Sequence, residues 1–372
     1  MTDATTLERL PLADLHAERG AKFVPFAGHA MPVQFIAGVM AEHLHTRTRA
    51  GLFDVSHMGQ VVVRGPWAAA ALERLVPTDV VGLGEGRQRY GLLTTEDGGV
   101  ADDLMIVNRG DDLLLVVNGA TKHADMARLV AGMPDHEVTL LDDRALLALQ
   151  GPEAEAVLER TLPGAAAMRF MDARAFDREG ADLWVSRSGY TGEDGYEISV
   201  PTDRAEAFAR ALLDDDAVLP VGLGARDSLR LEAGMPLYGQ DLTPEISPVE
   251  AGLAWAVQKV RRVGGDREGG FPGANRILRE LADGPARRRV GLRPEGRAPM
   301  RHGTMLYGAE DAVAPIGAVT SGGFGPTVGA PVAMGYVPAD TGRDAMLWGE
   351  VRGRRLPVRV ADLPFHQPRY KR

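Results

Sequence analysis

"RGPWAAAALERLVP" (residues 64–77) and "QGPEAEAVLERTLP" (residues 150–163) agree at eight of fourteen positions and lie 150 − 64 = 86 residues apart. Self-similarity at that distance points to two related structural units in the first two-thirds of the chain. Each copy follows an apolar run, "QVVV" or "ALLAL", and each sets a proline, Pro66 or Pro152, at the opening of a helix, where a missing N–H and a fixed φ cost least. Each therefore reads as strand, turn, helix. The segments downstream of the two copies match in kind. After the first copy come "RYGLLTTEDGG", "DDLMIVN" and "LLLVVN", then a helix "ATKHADMARLVAG". After the second come "MRFMDARAFDREGADLWVSR" and "GYEISVP", then a helix "TDRAEAFARALLDD" in which Asp203 and Glu206 have capping-box spacing. Both units are β-α-β-β-β-α, which predicts two α+β modules with antiparallel sheets packed side by side.

Beyond a polar, glycine-rich stretch, "RRVGGDREGG" (261–270), and a helix around "GANRILRELAD", the composition changes. Short β-rich pieces such as "APIGAVTSGG", "AMGYVP" and "LPVRVADLP" alternate with Gly and Pro, as in a small barrel or sandwich, and place a third domain from residue 285.

The totals bound the function. A chain of 372 residues, 45% hydrophobic and 25% charged, is globular and long enough for two or three cores. It has no cysteine, so disulfides, thiolate nucleophiles, iron–sulfur clusters and Cys-ligated zinc are excluded. The net charge of −9 argues against a nucleic-acid binder. Residues 285–372 carry 14 Lys plus Arg and 7 Asp plus Glu, or +7, leaving −9 − 7 = −16 for the rest. "MTDATTLERLPLADLHAERG" lacks an apolar signal-peptide core, and no stretch approaches the roughly 20 apolar residues that cross a bilayer. A cytoplasmic protein, with no membrane partner, is the expectation.

Standard nucleotide, zinc-protease and nucleophilic-serine motifs are absent. "GLGEG" (82–86) lacks the Lys-Ser/Thr of a phosphate loop, and His43 and His45 in "EHLHTRTR" have no accompanying HExxH, so no metal site is expected. Polar groups concentrate instead in "FDVSHMGQ" (53–60), in "SGYTGEDGYEIS" (188–199) and in "GLGARDSLRLEAGMPLYGQD" (222–241), where Arg226 and Arg230 share a helix face at i, i+4. One further stretch poses a puzzle. "GGVADDLMIV" (98–107) opens a buried-looking strand with two adjacent carboxylates, Asp102 and Asp103, which the period of a strand sends to opposite faces.

These motifs, together with "FAGHAMPVQF", "QGP", "ISPVEAGLAW", "FPGA", "RRRVGL", "VTSGGFGPTVGAPVAMGYV" and "PFHQPRY", stand in the order of the glycine cleavage system T-protein family, the tetrahydrofolate-dependent aminomethyltransferases, which the chain resembles from about residue 10 to its end. The resemblance implies an α+β fold: two related modules with antiparallel sheets and a C-terminal Greek-key β-barrel, as a cloverleaf around a central folate channel. It implies a first module of 1–50 with 140–245, a second of 51–139 with 246–284, and a barrel domain of 285–372. It makes Asp103 the catalytic carboxylate, with Asp102 its solvated or structural neighbour. It implies a folate pocket of Met58, Tyr90, Asn118, Tyr190, Glu197, Arg226 and Trp255, with Arg369 and Tyr370 near the tail, where aromatic and thioether groups sandwich a flat pterin and Glu197 accepts from its N–H groups.

The implied co-substrate is tetrahydrofolate, the implied partner is lipoylated H-protein, and a monomer is expected. His29 stands where the family usually has Trp, Phe35 where Tyr is common, and the closing segment differs from the usual one. Two rivals share the fold: a folate-dependent demethylase of a methylated amine or sulfonium compound, and a non-catalytic folate-binding protein. The second is disfavoured because such relatives carry a Cys-containing motif and this chain has no Cys.

Overall fold

The computed structural model describes residues 7–372, so the first six residues of the N-terminal stretch lie outside the described part. The first repeat forms the strand Gly59–Arg64, helix Ala68–Leu72, strands Arg87–Thr94, Val100–Asn108 and Leu113–Val117, and helix Lys122–Gly132. The second forms the strand Arg144–Gln150, helix Ala154–Thr161, strands Ala173–Arg178, Ala181–Ser186 and Gly195–Pro201, and helix Thr202–Leu213. In both, the four strands lie in the same spatial order, second, third, fourth, first, and all neighbours are antiparallel. The shared Gly-Pro has a backbone cause. Gly65 and Gly151 adopt φ of +136° and +129°, a region closed to side chains, and a Cβ on Gly151 would stand 2.2 Å from the Arg49 carbonyl oxygen.

The two sheets differ at one edge. Glu137–Leu141 completes the first as a fifth strand beside Gly59–Arg64. In the second, Ala50–Asp54 from the N-terminal segment takes that place, and Val218–Pro220 runs parallel beyond it. The chain therefore stays with the second repeat's sheet through Asp54, a few residues past residue 50. Helix Thr202–Leu213 starts two residues earlier than a capping box at Asp203 requires. Its N-cap is Pro201, which makes no side-chain cap, and Asp203 contributes only a charge in the first turn.

Each sheet buries one face under its own helices. Leu147, Leu149, Ile198 and Val200 pack on Val157, Leu158, Phe208 and Leu212 in one module. Val61, Val63, Leu104, Ile106 and Leu115 pack on Leu72 and Leu129 in the other. Each such side chain contributes about 1.5–3 kcal/mol.

The third body is a closed barrel of six strands, Arg287–Pro294, Met305–Tyr307, Gly317–Gly325, Ala330–Pro338, Met346–Val351 and Arg354–Ala361. Strands two to four are joined in sequence as a meander and the fifth returns beside the second, a Greek key.

Helix Leu223–Glu232 lies where the bodies meet. Ala225 and Leu229 enter a core with Phe53, Val55 and Leu146, while Leu231 packs on Val332 and Met334 of the barrel. Two buried ions on the same helix reach outward. Arg230 donates to Asp241 (2.9 Å) and Ser321 (3.0 Å), and Glu232 accepts from Arg47 (3.1 Å) and from the backbone N–H of Thr327 (2.8 Å).

The hairpin before the paired carboxylates is wedged. Val100 N donates to the carbonyls of Thr243 and Ile246, and a Cβ on Gly99 would stand 1.7 Å from the Pro244 carbonyl oxygen. Gly99→Ala is therefore expected to destabilise the protein by about 2 kcal/mol or more. Gly342→Ala, at a position with nothing within 4 Å, should stay within about 0.5 kcal/mol of the parent. Urea unfolding midpoints of the two variants check both expectations.

Candidate active site

The strand Val100–Asn108 is covered on both sides, completely over Asp102 and only partly over Asp103. Asp102 shares its face with Leu104 and Ile106 and lies under the helices of its own module, wholly buried. Of the two readings of Asp102, solvated or structural, its full burial leaves only the structural one. Asp103 points the other way, to the face where Leu92 and Tyr90 meet Leu242, Ile246 and Ala256 at the junction of the three bodies.

Two donors hold the Asp103 carboxyl. Tyr90, one strand away on the diagonal, gives its hydroxyl to Oδ2 (3.0 Å), and Asn118 gives Nδ2 to Oδ1 (2.8 Å). The same Asn118 amide donates to Asp102 Oδ1 (2.8 Å), while the Asn118 backbone N–H (3.2 Å) and the Thr121 hydroxyl (2.9 Å) reach Asp102 Oδ2. Burial, with Asp102 next to it, pushes the Asp103 carboxyl up to about 7, and the bonds from Tyr90 and Asn118 restrain the shift.

The opposite wall comes from the other module. Arg226 lies over the Tyr190 ring, 4.8 Å from its centroid, and Tyr190 feels the charges of both Asp103 and Arg226. Glu197 accepts from the Ser188 hydroxyl (2.8 Å) and faces Arg226 electrostatically without an ion pair. Arg226 Nη1 is buried with no hydrogen-bond partner among the described residues. Met58 packs into the core that holds Ala225 and Leu229, beside the turn of helix that bears Arg226. At the mouth, Trp255 is 58% exposed and leans on Tyr90, with ring centroids 5.3 Å apart. There the two rings, with Met171, Arg87, Arg89 and Gln258, line an open cleft of about 430 Å³.

Tyr90 and Asn118 hold Asp103, Trp255 leans on Tyr90, Tyr190 stacks with Arg226 near Glu197, and Met58 packs against the core beside Arg226, while the two tail residues stand apart. The Arg369 backbone N–H bonds to the Gly192 carbonyl (3.0 Å), and Tyr370 stacks on Phe170 at 4.3 Å, next to the Met171 that lines the cleft. Arg369 fastens the tail to the loop that carries Tyr190, and Tyr370 fastens it to Phe170. His29 is buried, with Nδ1 against the Ala27 carbonyl (2.8 Å) and Nε2 near Glu8 (3.1 Å).

Three residues at the site escaped the sequence reading. Asp125 and Thr121 lie behind Asp102, and His57, whose imidazole burial and the nearby Arg226 push down to about 3, is neutral with Nδ1 unpartnered. Asp125 sits in "ATKHADMARLVAG", whose pattern signals only an acid in the first turn of a helix. Among the described residues no group of three or more acids or histidines is arranged to hold a metal, and no helix is long and apolar enough to cross a membrane.

Known proteins share this architecture. Residues 12–261 match the family model described as the GCVT N-terminal domain, and residues 287–367 the glycine cleavage T-protein C-terminal barrel domain. An aminomethyltransferase of Geobacillus kaustophilus is 43% identical over 373 residues, covering 97% of this chain and 99% of that protein. The mitochondrial aminomethyltransferase of Dictyostelium discoideum is 40% identical over 390 residues, covering 100% of this chain and 95% of its own. The crystal structure of the glycine cleavage system aminomethyltransferase T from Bartonella henselae superposes with a TM-score of 0.92 at 44% identity, covering 99% of this chain and 100% of that one.

The raised Asp103 value carries a stability consequence. An unfolded Asp ionises near 3.9, whereas the folded carboxyl keeps its proton to about 7. The native state therefore binds the extra proton in that window, and its stability falls as pH rises through it. Asp103→Asn, which mimics the neutral form, is expected to raise the thermal midpoint more at pH 8 than at pH 5, by roughly 2 °C or more. Melting curves at the two pH values test this.

Proposed function

The chain belongs to the glycine cleavage T-protein family, and from that premise we propose that it is the aminomethyltransferase that takes the one-carbon unit from S-aminomethyldihydrolipoyl H-protein. The products are 5,10-methylenetetrahydrofolate, ammonia and dihydrolipoyl H-protein. The observation that carries this reading is a carboxyl held between Tyr90 and Asn118, facing a wall with an aromatic ring and a buried guanidinium whose Nη1 has no partner. Such a wall fits a flat, polar heterocycle. Trp255, Tyr90 and Met58 supply apolar faces, Glu197 an acceptor for ring N–H groups, and Arg226 donors for an oxygen or carboxylate of the same molecule.

Tetrahydrofolate, when bound, supplies the nucleophilic nitrogens that accept the one-carbon unit. The protein's own contribution is charge and position. As ammonia leaves, the transferring carbon becomes electron-poor, and the Asp103 carboxylate, fixed by two hydrogen bonds before the reaction starts, offers negative charge without reorganisation. At about 4 Å and an effective dielectric near 20, opposite unit charges attract by roughly 4 kcal/mol, of the order of a thousandfold in rate. With its value near 7, the same carboxyl both holds and releases a proton at working pH, which suits proton transfer at the acceptor nitrogens.

Purified protein given tetrahydrofolate and aminomethyl-loaded H-protein is expected to form methylenetetrahydrofolate, with dimethylglycine and a methylsulfonium compound giving none in parallel. Product from a small methyl donor in place of H-protein would overturn the substrate. Asp103→Asn should lower turnover about a hundredfold or more while the fold survives, and near-normal turnover would remove Asp103 from the mechanism.

A further inference from the structure

We propose that Ser188 is a positioning residue for Glu197: its hydroxyl fixes the carboxylate before a ligand arrives and so sets the affinity for the folate ring. The inference deepens the aminomethyltransferase reading and rests on its assignment of Glu197 as the acceptor for ring N–H groups.

Strand parity places Glu197 on the side of the sheet where the modules meet. Tyr196, Ile198 and Val200 point into the core under the module's own helices, so Glu197 takes the opposite face. There its partner in register is Ala148, which packs with Ala225 and Leu229 of the helix that bears Arg226. On the other flank its partner is Ser186, the last residue of the strand Ala181–Ser186. Ser188 follows two residues later, 6% exposed, with Oγ 2.8 Å from Glu197 Oε2. A carboxylate only accepts, so the hydroxyl donates. Among the described residues this is the one hydrogen bond to the Glu197 carboxyl.

The donor is itself held from three directions. The Arg187 N–H donates to the Asp172 carbonyl (2.9 Å), the Arg187 carbonyl accepts from the Met171 N–H (3.0 Å), and the Ser188 carbonyl accepts from Gln150 Nε2 (2.9 Å). Gln150 is wholly buried, and its Oε1 accepts from the Thr191 hydroxyl (2.9 Å) on the far side of Gly189 and Tyr190. A Cβ on Gly189 would stand 1.7 Å from that same oxygen, so glycine lets the loop close on Gln150. The Ser188 hydroxyl therefore starts from a fixed point, and the oxygen it holds is fixed with it.

The consequence falls on binding. One O–H takes one of about four lone-pair directions of a carboxylate and leaves the rest, in a set plane, for a pair of ligand N–H groups. Without it the Glu197 side chain is free to turn, and a ligand must order it on arrival. That cost is the same in the ground state and the transition state, so it weakens affinity and spares the chemical step.

Ser188→Ala should raise KM for tetrahydrofolate about tenfold or more and leave kcat within about twofold of wild type. A double-mutant cycle with Glu197→Ala, read by calorimetric titration of tetrahydrofolate, separates positioning from simple support of the loop. If Ser188 acts through Glu197, adding S188A to E197A weakens binding by no more than about twofold. A further tenfold loss in the E197A background overturns the proposal, and so does a wild-type KM in S188A or a fall in kcat in place of the rise in KM. If S188A does not fold, S188C carries the test: its thiol is a weaker donor, so affinity should drop severalfold beside Glu197 and not in E197A. Wild-type protein that binds tetrahydrofolate yet makes no methylenetetrahydrofolate from H-protein overturns the donor reading, and the cycle still decides the role of Ser188. Wild-type protein that binds no tetrahydrofolate overturns both.

Discussion

Arg230 and Glu232 are buried ions two residues apart on one short helix, and apart from Asp227 their ionic partners come from other segments. Asp241 and Ser321 receive Arg230, while Arg47, His43 and the backbone of Thr327 and Val328 receive Glu232. A buried charge that loses one partner costs several kcal/mol, whereas the same helix with apolar residues would tolerate a range of docking angles. The ions therefore act less as glue than as a key. The N-terminal segment, this helix and the barrel must all arrive in one arrangement before the charges are satisfied. Arg226, on the same helix, takes its position in the pocket from that arrangement, and so does the distance between the two walls of the site.

The other wall relies on a different constraint. A strand buried on both faces can present two adjacent acids in two unlike environments, since successive side chains point in opposite directions. Asp103 meets the pocket and Asp102 meets a helix end. Asn118, at the end of the neighbouring strand, bridges the two faces because a primary amide has two N–H groups that point apart. The site's electrostatics thus extend through the sheet to a side chain that no ligand in the pocket would touch.

The repeat was legible because it is dictated by backbone chemistry: a Gly at positive φ followed by Pro is needed twice, and the letters recur. The parity of Asp102 and Asp103 was legible for the same reason. What covers each face was not, since the helix over Asp102 is an ordinary amphipathic segment whose Asp125 reads as a first-turn acid. Arg226 and Arg230 show the limit of spacing. They share a helix face by their i, i+4 interval, yet one enters the pocket and the other reaches the barrel, because Asp241 and Ser321 approach only the second. The capping-box spacing at Asp203 failed because Pro201 already sets the first turn of that helix.

The wedge at Gly99 also bears on how the protein is made. The turn that fixes the register of the strand carrying Asp103 abuts Pro244 and Gly273, which lie beyond Gly99 and Gly98 by 244 − 99 = 145 and 273 − 98 = 175 residues. Contacts of such long range close late, after the local hairpins and helices have formed. A slip of one residue before that closure would turn Asp103 toward the helices and Asp102 toward the pocket. The working carboxylate is therefore set by one of the last long-range contacts to close. A growing chain that has not yet reached residue 243 has Tyr90, Asp103 and Asn118 but none of the lock that aims them, so binding competence arrives with later parts of the chain and not with the module that carries the acid.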